Sequence, residues 1–503
     1  MIAHRPSPVR MAVTSAEINA EAAHLRQLGL TLPDGSFLKA HPFEPPWTSH
    51  SLLIPSTWSE PGLKRLLAPR RVRADLLLAD LDVLEPVMQR AYGGWDSAAA
   101  RGWNWAQWFA GWREQLAAKG PAEVPFDEAF APMDRLLAFQ RDNHTQIPLN
   151  RPTGDGSQTA VLDGAANARC VEIRAGDRTF DLAANDPGQQ VRSAKLWRTG
   201  ERGFAGTHYI SMPSSYGVPE AVRCGDAWIP LHPIGERKVG PSAMLHALWA
   251  ETFSRDHAHF ERLGDGIVYV RLPTFVAANY DPAPPEGWPR RQPGDRVLIV
   301  DLRDNEGNDA DYGLDVLKGW IDETRMVPFD HLGTRIVSSC LYAPLKWNYP
   351  ISDSKKFKQE LLDDMAKPYP AGCPRTVDVR PAQWTYLERH FARGPDDLRI
   401  VALVNSRCAS DCEGITLMLA SLPQTLVAGA NTYGVVQNIQ PGYSVLPHTG
   451  LRYRIALGRS DYFGDNRAVD GYGLDVDVVL PEVDTLKPRQ LRELAEEVAS
   501  FRN

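Results

Sequence analysis

Apolar positions change their spacing along the chain, and the changes divide it. After a short helical period at Ala16 to Leu28, Pro42, Pro45, Pro46 and Pro55 fix φ and remove backbone donors, so residues 1–71 read as a Pro-rich extension. From 72 to 150 the period becomes helical. Leu76, Leu77, Leu81, Leu84 and Val87 recur three and four apart, and Trp103 to Leu116 and Phe126 to Phe139 continue the pattern. Trp103, Trp105, Trp108 and Trp112 give one helix an aromatic stripe, which predicts a core face rather than a ligand platform. Residues 72–150 are expected to form a small helical bundle.

Residues 151–240 shift to short runs punctuated by turns, at Thr159 to Leu162, Cys170 to Arg174, His208 to Met212 and Ala227 to Leu231, and predict a small β-rich insert. Over 241–486 the two periods alternate. A helix at Ser242 to His259, strands at Ile267 to Leu272 and Val297 to Leu302, a helix at Tyr312 to Thr324 and a strand at Arg335 to Ser339 come first. A strand at Ile400 to Val404, a helix from Ser410 and a strand at Thr425 to Gly429 follow. Such alternation predicts an α/β core of mostly parallel strands joined by right-handed βαβ crossovers. Segment 342–398, helical at Lys355 to Met365, interrupts it and suits a cleft wall or lid. Residues 487–503 read as a C-terminal helix.

Composition narrows the function. With 503 residues, 43% apolar and 23% charged, the chain is long enough for two or three domains with buried cores. The net charge is −7 and basic residues are scattered apart from Lys64 to Arg73, which argues against a nucleic-acid partner. No run approaches the roughly 18 apolar residues of a membrane helix, so membrane insertion is not expected. The first residues lack a secretory apolar region; as written the protein is expected in the cytoplasm, and exported if a leader has been removed. Six cysteines include no C-x-x-C, and Cys408 and Cys412 lack histidines at zinc spacing. Both are expected to pack as small apolar residues, with no metal and no cofactor. His257 and His259, two apart on the expected helix, make a poor metal pair.

The candidate chemistry lies between Arg399 and Gly434, where an apolar strand runs into Cys408-Ala409-Ser410-Asp411-Cys412-Glu413 and then an apolar helix. A serine at such a turn sits at the positive end of the helix, beside N–H groups able to hold an oxyanion. Ser410 and Glu413 also satisfy the capping-box spacing. Cap and nucleophile are compatible readings.

The Ser410 turn and the strand ending Gly429-Ala430-Asn431-Thr432-Tyr433-Gly434 resemble the tail-specific (C-terminal processing) serine peptidases, in their tricorn-core branch. Gly264 to Pro273, Val297 to Gly307 with its Asp301-Leu302-Arg303, and Val469 to Val478 resemble three further family elements, in family order. The likeness spans about residues 72–150 and 240–480. It implies a crotonase/ClpP-like βαβ spiral, acyl transfer at Ser410 and a peptide or unfolded protein as substrate. In Ser-Lys members the base lies where this chain has Val435, which takes no proton. Tricorn-like members use a histidine, matched here by His144 in Arg141-Asp142-Asn143-His144-Thr145, and an imidazole is suited to proton transfer near neutrality. Asp470 is implied as the carboxylate that orients His144, where tricorn-like members carry glutamate. The backbone N–H groups of Asp411 and Gly307 are implied as oxyanion donors. Many relatives carry a PDZ domain at the place of the β-rich insert, but its carboxylate-binding loop is not recognisable here. Glu306 interrupts the usual glycine run, so the alternative is a weakened or inactive peptidase fold that binds peptides or small apolar ligands.

Overall fold

The computed structural model describes residues 71–142, 144–147, 157–162, 170–181, 191–213, 217–234, 259–275, 290–307, 310–327, 334–338, 376–379, 398–446, 448–449, 451–460 and 469–500. The elements expected at Ala16 to Leu28, Ser242 to Ala258 and Lys355 to Met365 lie outside these residues, as does His257.

Strand β1 (Arg71–Arg73) leads into helix α1 (Ala74–Ala91), which buries Leu77, Leu81, Leu84 and Val87 on the face their spacing defines. Each contributes roughly 1.5–3 kcal/mol by leaving water. A short helix α2 (Trp95–Ala100) precedes α3 (Trp105–Ala117). Helix α3 begins at Trp105 rather than Trp103 because Asn104 caps it, its side chain accepting from Gln107 N–H at 3.1 Å. Trp105, Phe109, Trp112 and Leu116 face the core, and Trp112 Nε1 donates to Ala129 O at 2.8 Å. Strand β2 (Glu123–Pro125) pairs antiparallel with β1, and α4 (Phe126–Ala129) and α5 (Ala131–Gln140) complete the helical region. Arg141, at φ 57°, ends α5 with a left-handed turn that swings the chain toward His144.

Seven strands build the next region: β3 (Ser157–Leu162), β4 (Cys170–Ala175), β5 (Arg178–Asp181), β6 (Arg192–Leu196), β7 (Ala205–Pro213), β8 (Ala221–Cys224) and β9 (Ala227–Ile234). Cys170 and Cys224, opposite each other on β4 and β8, form a disulfide.

The core opens with β10 (His259–Gly264), where a helix ending at His259 was expected. It pairs antiparallel with β11 (Ile267–Arg271). Parallel to β11 run β12 (Val297–Asp301) and the later strands β15 (Arg399–Val404), β16 (Thr425–Gly429) and β19 (Val478–Val479). Every side chain of β12 and β16 is buried, as befits parallel strands covered on both faces. Helix α6 (Ala310–Leu317) follows β12 and ends well short of the predicted Thr324. Helix α7 (Asp411–Ala420) joins β15 to β16, and α8 (Pro488–Ser500) buries Leu491, Leu494, Ala495 and Val498 against the same core. Strand β19 also pairs in parallel with β6, so that thirteen described strands make one continuous mixed sheet.

Strand β13 (Thr334–Ser338) was expected in the parallel core. It lies instead in a separate antiparallel sheet, ordered β14 (Thr376–Val379), β13, β18 (Arg452–Ser460) and β17 (Asn438–Val445). Strand β18 carries the histidine segment. Gln146 and Arg454 exchange backbone hydrogen bonds at 2.9 and 3.0 Å, and Thr145 Oγ1 accepts from Ala456 N–H at 3.0 Å. No helix among the described residues is long and apolar enough to cross a membrane.

Candidate active site

The nucleophile turn is held from both ends. Strand β15 stops at Val404, Asn405 O accepts from Cys408 N–H at 3.0 Å, and Asn305 O accepts from Ala409 N–H at 3.0 Å. Ser410 then takes φ 56° and ψ −119°, a conformation disfavoured for any residue with a side chain. The capping box is present: Ser410 N–H donates to Glu413 at 3.1 Å. Glu413 is fully buried and also accepts from Gly434 N–H and Val435 N–H, each at 2.8 Å, and from the Thr432 hydroxyl. Burial pushes its carboxyl up to about 7 despite these donors. Glu413 thus pins the serine turn to the loop after β16.

His144 reaches this turn from the helical side. Its Nε2 lies 3.3 Å from Ser410 Oγ, and its Nδ1 meets the main-chain oxygen of Asn438. With Nδ1–H donating to that carbonyl, Nε2 is left as the acceptor for the hydroxyl proton. Asp142 fixes the segment, Oδ1 accepting from His144 N–H and Thr145 N–H at 2.9 Å each. Burial raises the Asp142 carboxyl above its ordinary range.

Asp470 is buried behind Asn438. Its carboxylate accepts from Gln437 N–H at 2.7 Å, Asn438 N–H at 3.0 Å and Asn438 Nδ2 at 2.7 Å. It therefore stands one residue further from the imidazole than a direct partner would, and burial pushes it up to about 7. Asn438 and Gln437 had no sequence signal.

Gly307, at φ 93°, presses on the nucleophile turn itself. A Cβ there would stand 2.7 Å from both Ala409 O and Asp411 N. Its own N–H donates to Asn305 Oδ1 at 2.8 Å, so it is engaged within its turn. Asp411 N–H heads α7, where a helix offers its first donors. Beneath this turn Arg303 and Asp301 form a buried ion pair at 2.6 Å, and Arg303 Nη1 donates to Val483 O at 2.6 Å.

One correction concerns sulfur. Cys408 and Cys412 are joined in a disulfide across the turn, with their Cα atoms 5.4 Å apart, rather than packing as separate thiols. Cys408 precedes the helix and Cys412 lies in its first turn, and the sharp turn at Ser410 between them brings the two sulfurs together. A cleft of about 1120 Å³ elsewhere is lined by Arg192, Lys195, His208, His232 and Asp475 among others, and by none of Ser410, His144 or Asp470.

Residues 266–480 match the family model of peptidase family S41. Over that stretch the chain is similar to peptidase family S41. That match supports a serine-type peptidase, a hydrolase, and spans Gly307, Ser410, Asn438 and Asp470. No curated protein matches the chain. Among solved structures, mature CPAF is 14% identical, covering 85% of this chain and 96% of its own, with a TM-score of 0.40. The photosystem II D1 C-terminal processing protease is 16% identical, covering 85% of this chain and 97% of its own, at 0.32. The tricorn protease is 13% identical, covering 84% of this chain and 37% of its own, at 0.35. Likenesses this distant bear on none of the site residues.

Proposed function

We propose that this chain hydrolyses peptide bonds through an acyl-enzyme on Ser410, with His144 as general base. Ser410 Oγ attacks the peptide carbonyl while His144 Nε2 takes its proton. The same proton then passes to the leaving amine, and water releases the acyl group by the reverse path. Asn438 O holds the ring in the useful tautomer, and Asp470 holds Asn438. The Asp411 N–H is the oxyanion donor in this reading. Substrates are peptides or unfolded proteins.

The observation that supports this most is the 3.3 Å approach of His144 Nε2 to a serine in a strained turn. A fluorophosphonate probe followed by intact mass tests it. Labelling is expected at one serine and lost in Ser410→Ala; labelling that survives that substitution places the nucleophile elsewhere. The engagement of Gly307 N–H by Asn305 favours a second reading, a peptide-binding protein with little turnover. Peptide binding that is saturable, with a turnover unchanged by His144→Ala, would select it.

A further inference from the structure

We propose that the Cys408–Cys412 disulfide is a clamp on the nucleophile, and that its reduction to two thiols slows the reactivity of Ser410 while the fold persists. This rests on the reading of Ser410 as nucleophile.

The bond closes a loop with Ser410 at its centre, since the cysteines stand four apart. Ser410 holds φ 56° and ψ −119°, and a residue with a side chain keeps such a conformation only where its surroundings over-determine it. The two ends of the clamp are themselves fixed. Cys408 N–H donates to Asn405 O at 3.0 Å and Cys408 O accepts from Tyr433 N–H at 2.8 Å, while Cys412 N–H donates to Ala409 O at 3.0 Å. The bridge thus ties the strand side of the turn to the first turn of α7.

So short a loop removes little freedom from the unfolded chain, so the bond adds little to global stability. Its effect is local. The dithiol form also has a place in the core: Cys412 Sγ lies 3.5 Å from Leu302 O and Cys408 Sγ 3.8 Å from Thr416 Oγ1, so each thiol has an acceptor. Thr416 itself donates to Cys412 O at 2.8 Å and keeps its lone pairs for this. Both cysteines are fully buried, so exchange waits on opening of the turn. A dithiol reductant attacks one sulfur as thiolate, and its second thiol then displaces the mixed disulfide. The reductant leaves as a disulfide, and two electrons and two protons end on Cys408 and Cys412.

The full-length protein is alkylated with iodoacetamide without reductant and mapped by peptide mass, and fluorophosphonate labelling rates are measured before and after dithiothreitol. Cys408 and Cys412 should resist alkylation before reduction. After it, labelling should slow roughly tenfold or more, recover on reoxidation with oxidised glutathione, and match the rate of Cys408→Ala/Cys412→Ala. Far-UV circular dichroism and the thermal midpoint should change little in that variant. Cys170→Ala/Cys224→Ala should keep both the rate and its sensitivity to dithiothreitol. Alkylation of native Cys408, a wild-type rate in Cys408→Ala/Cys412→Ala, or a slowing that merely tracks unfolding overturns the clamp alone. No labelling of Ser410 in the oxidised protein overturns the nucleophile reading, and the clamp with it.

Discussion

The Asp470 carboxylate grips Asn438 from two sides, accepting from its backbone N–H at 3.0 Å and its side-chain amide at 2.7 Å. The oxygen of the same residue meets His144 Nδ1. Through Asn438, Asp470 is thereby linked to the imidazole without touching it.

Asp470→Asn keeps the shape, removes the charge and sets an amide against donor N–H groups. The expected result is a fall in kcat of roughly 10- to 100-fold, about 1.4–2.8 kcal/mol of barrier, with KM little changed. Steady-state kinetics on a fluorogenic peptide check it. An altered KM at constant kcat would assign Asp470 to substrate binding instead.

Stability should fall as pH rises toward 7. Burial raises Asp470 from 3.8 and Glu413 from 4.5, each to about 7, so between those limits the folded molecule binds more protons than the unfolded chain. The unfolding free energy then declines across that window and levels off above it. Urea titrations from pH 5 to 8 read the slope, which Asp470→Asn should flatten.

Gly307→Ala forces a side chain into a positive-φ site already filled by Ala409 O and Asp411 N. The strain costs about 1–3 kcal/mol and pushes the nucleophile turn outward. Labelling of Ser410 should drop by more than the loss of folded protein explains. A variant that labels normally would show that the turn tolerates displacement.

Arg303→Ala leaves the buried Asp301 with Arg271, at 3.4 Å, and the Tyr269 hydroxyl, at 2.7 Å, as its side-chain partners. Burial alone would raise the Asp301 carboxyl, but the hydrogen bonds and charge of Arg303, with Arg271, hold it below its ordinary range. Removing the arginine should destabilise by about 3–5 kcal/mol, seen as a lower urea midpoint. A near-neutral effect would mean that Arg271 replaces it.

Much of the nucleophile side was legible because it is local: an apolar strand, a small turn and an apolar helix declare Ser410 and Glu413 by spacing. The helical face of α1 was legible for the same reason. The sheet that carries Asn438 was not. Strand β17 contains Pro441 and Gly442, which read as breakers, yet it lies at the edge of its sheet, where a missing donor is tolerated. Asp470 could be matched by resemblance, but its contact with Asn438 depends on two segments 32 residues apart meeting in space. The Cys408–Cys412 bond was not legible because it depends on the positive-φ turn at Ser410, which folds the residues before the helix back onto its first turn.

Strand β19 is two residues long, yet it hydrogen-bonds to β16 on one flank and to β6 on the other. Excising the β-rich region would bare that flank and leave an open parallel edge ready to recruit another chain. The β-rich region and the parallel strands thus share one sheet through β19, and a shortened protein lacking the seven strands is expected to lose stability at that flank.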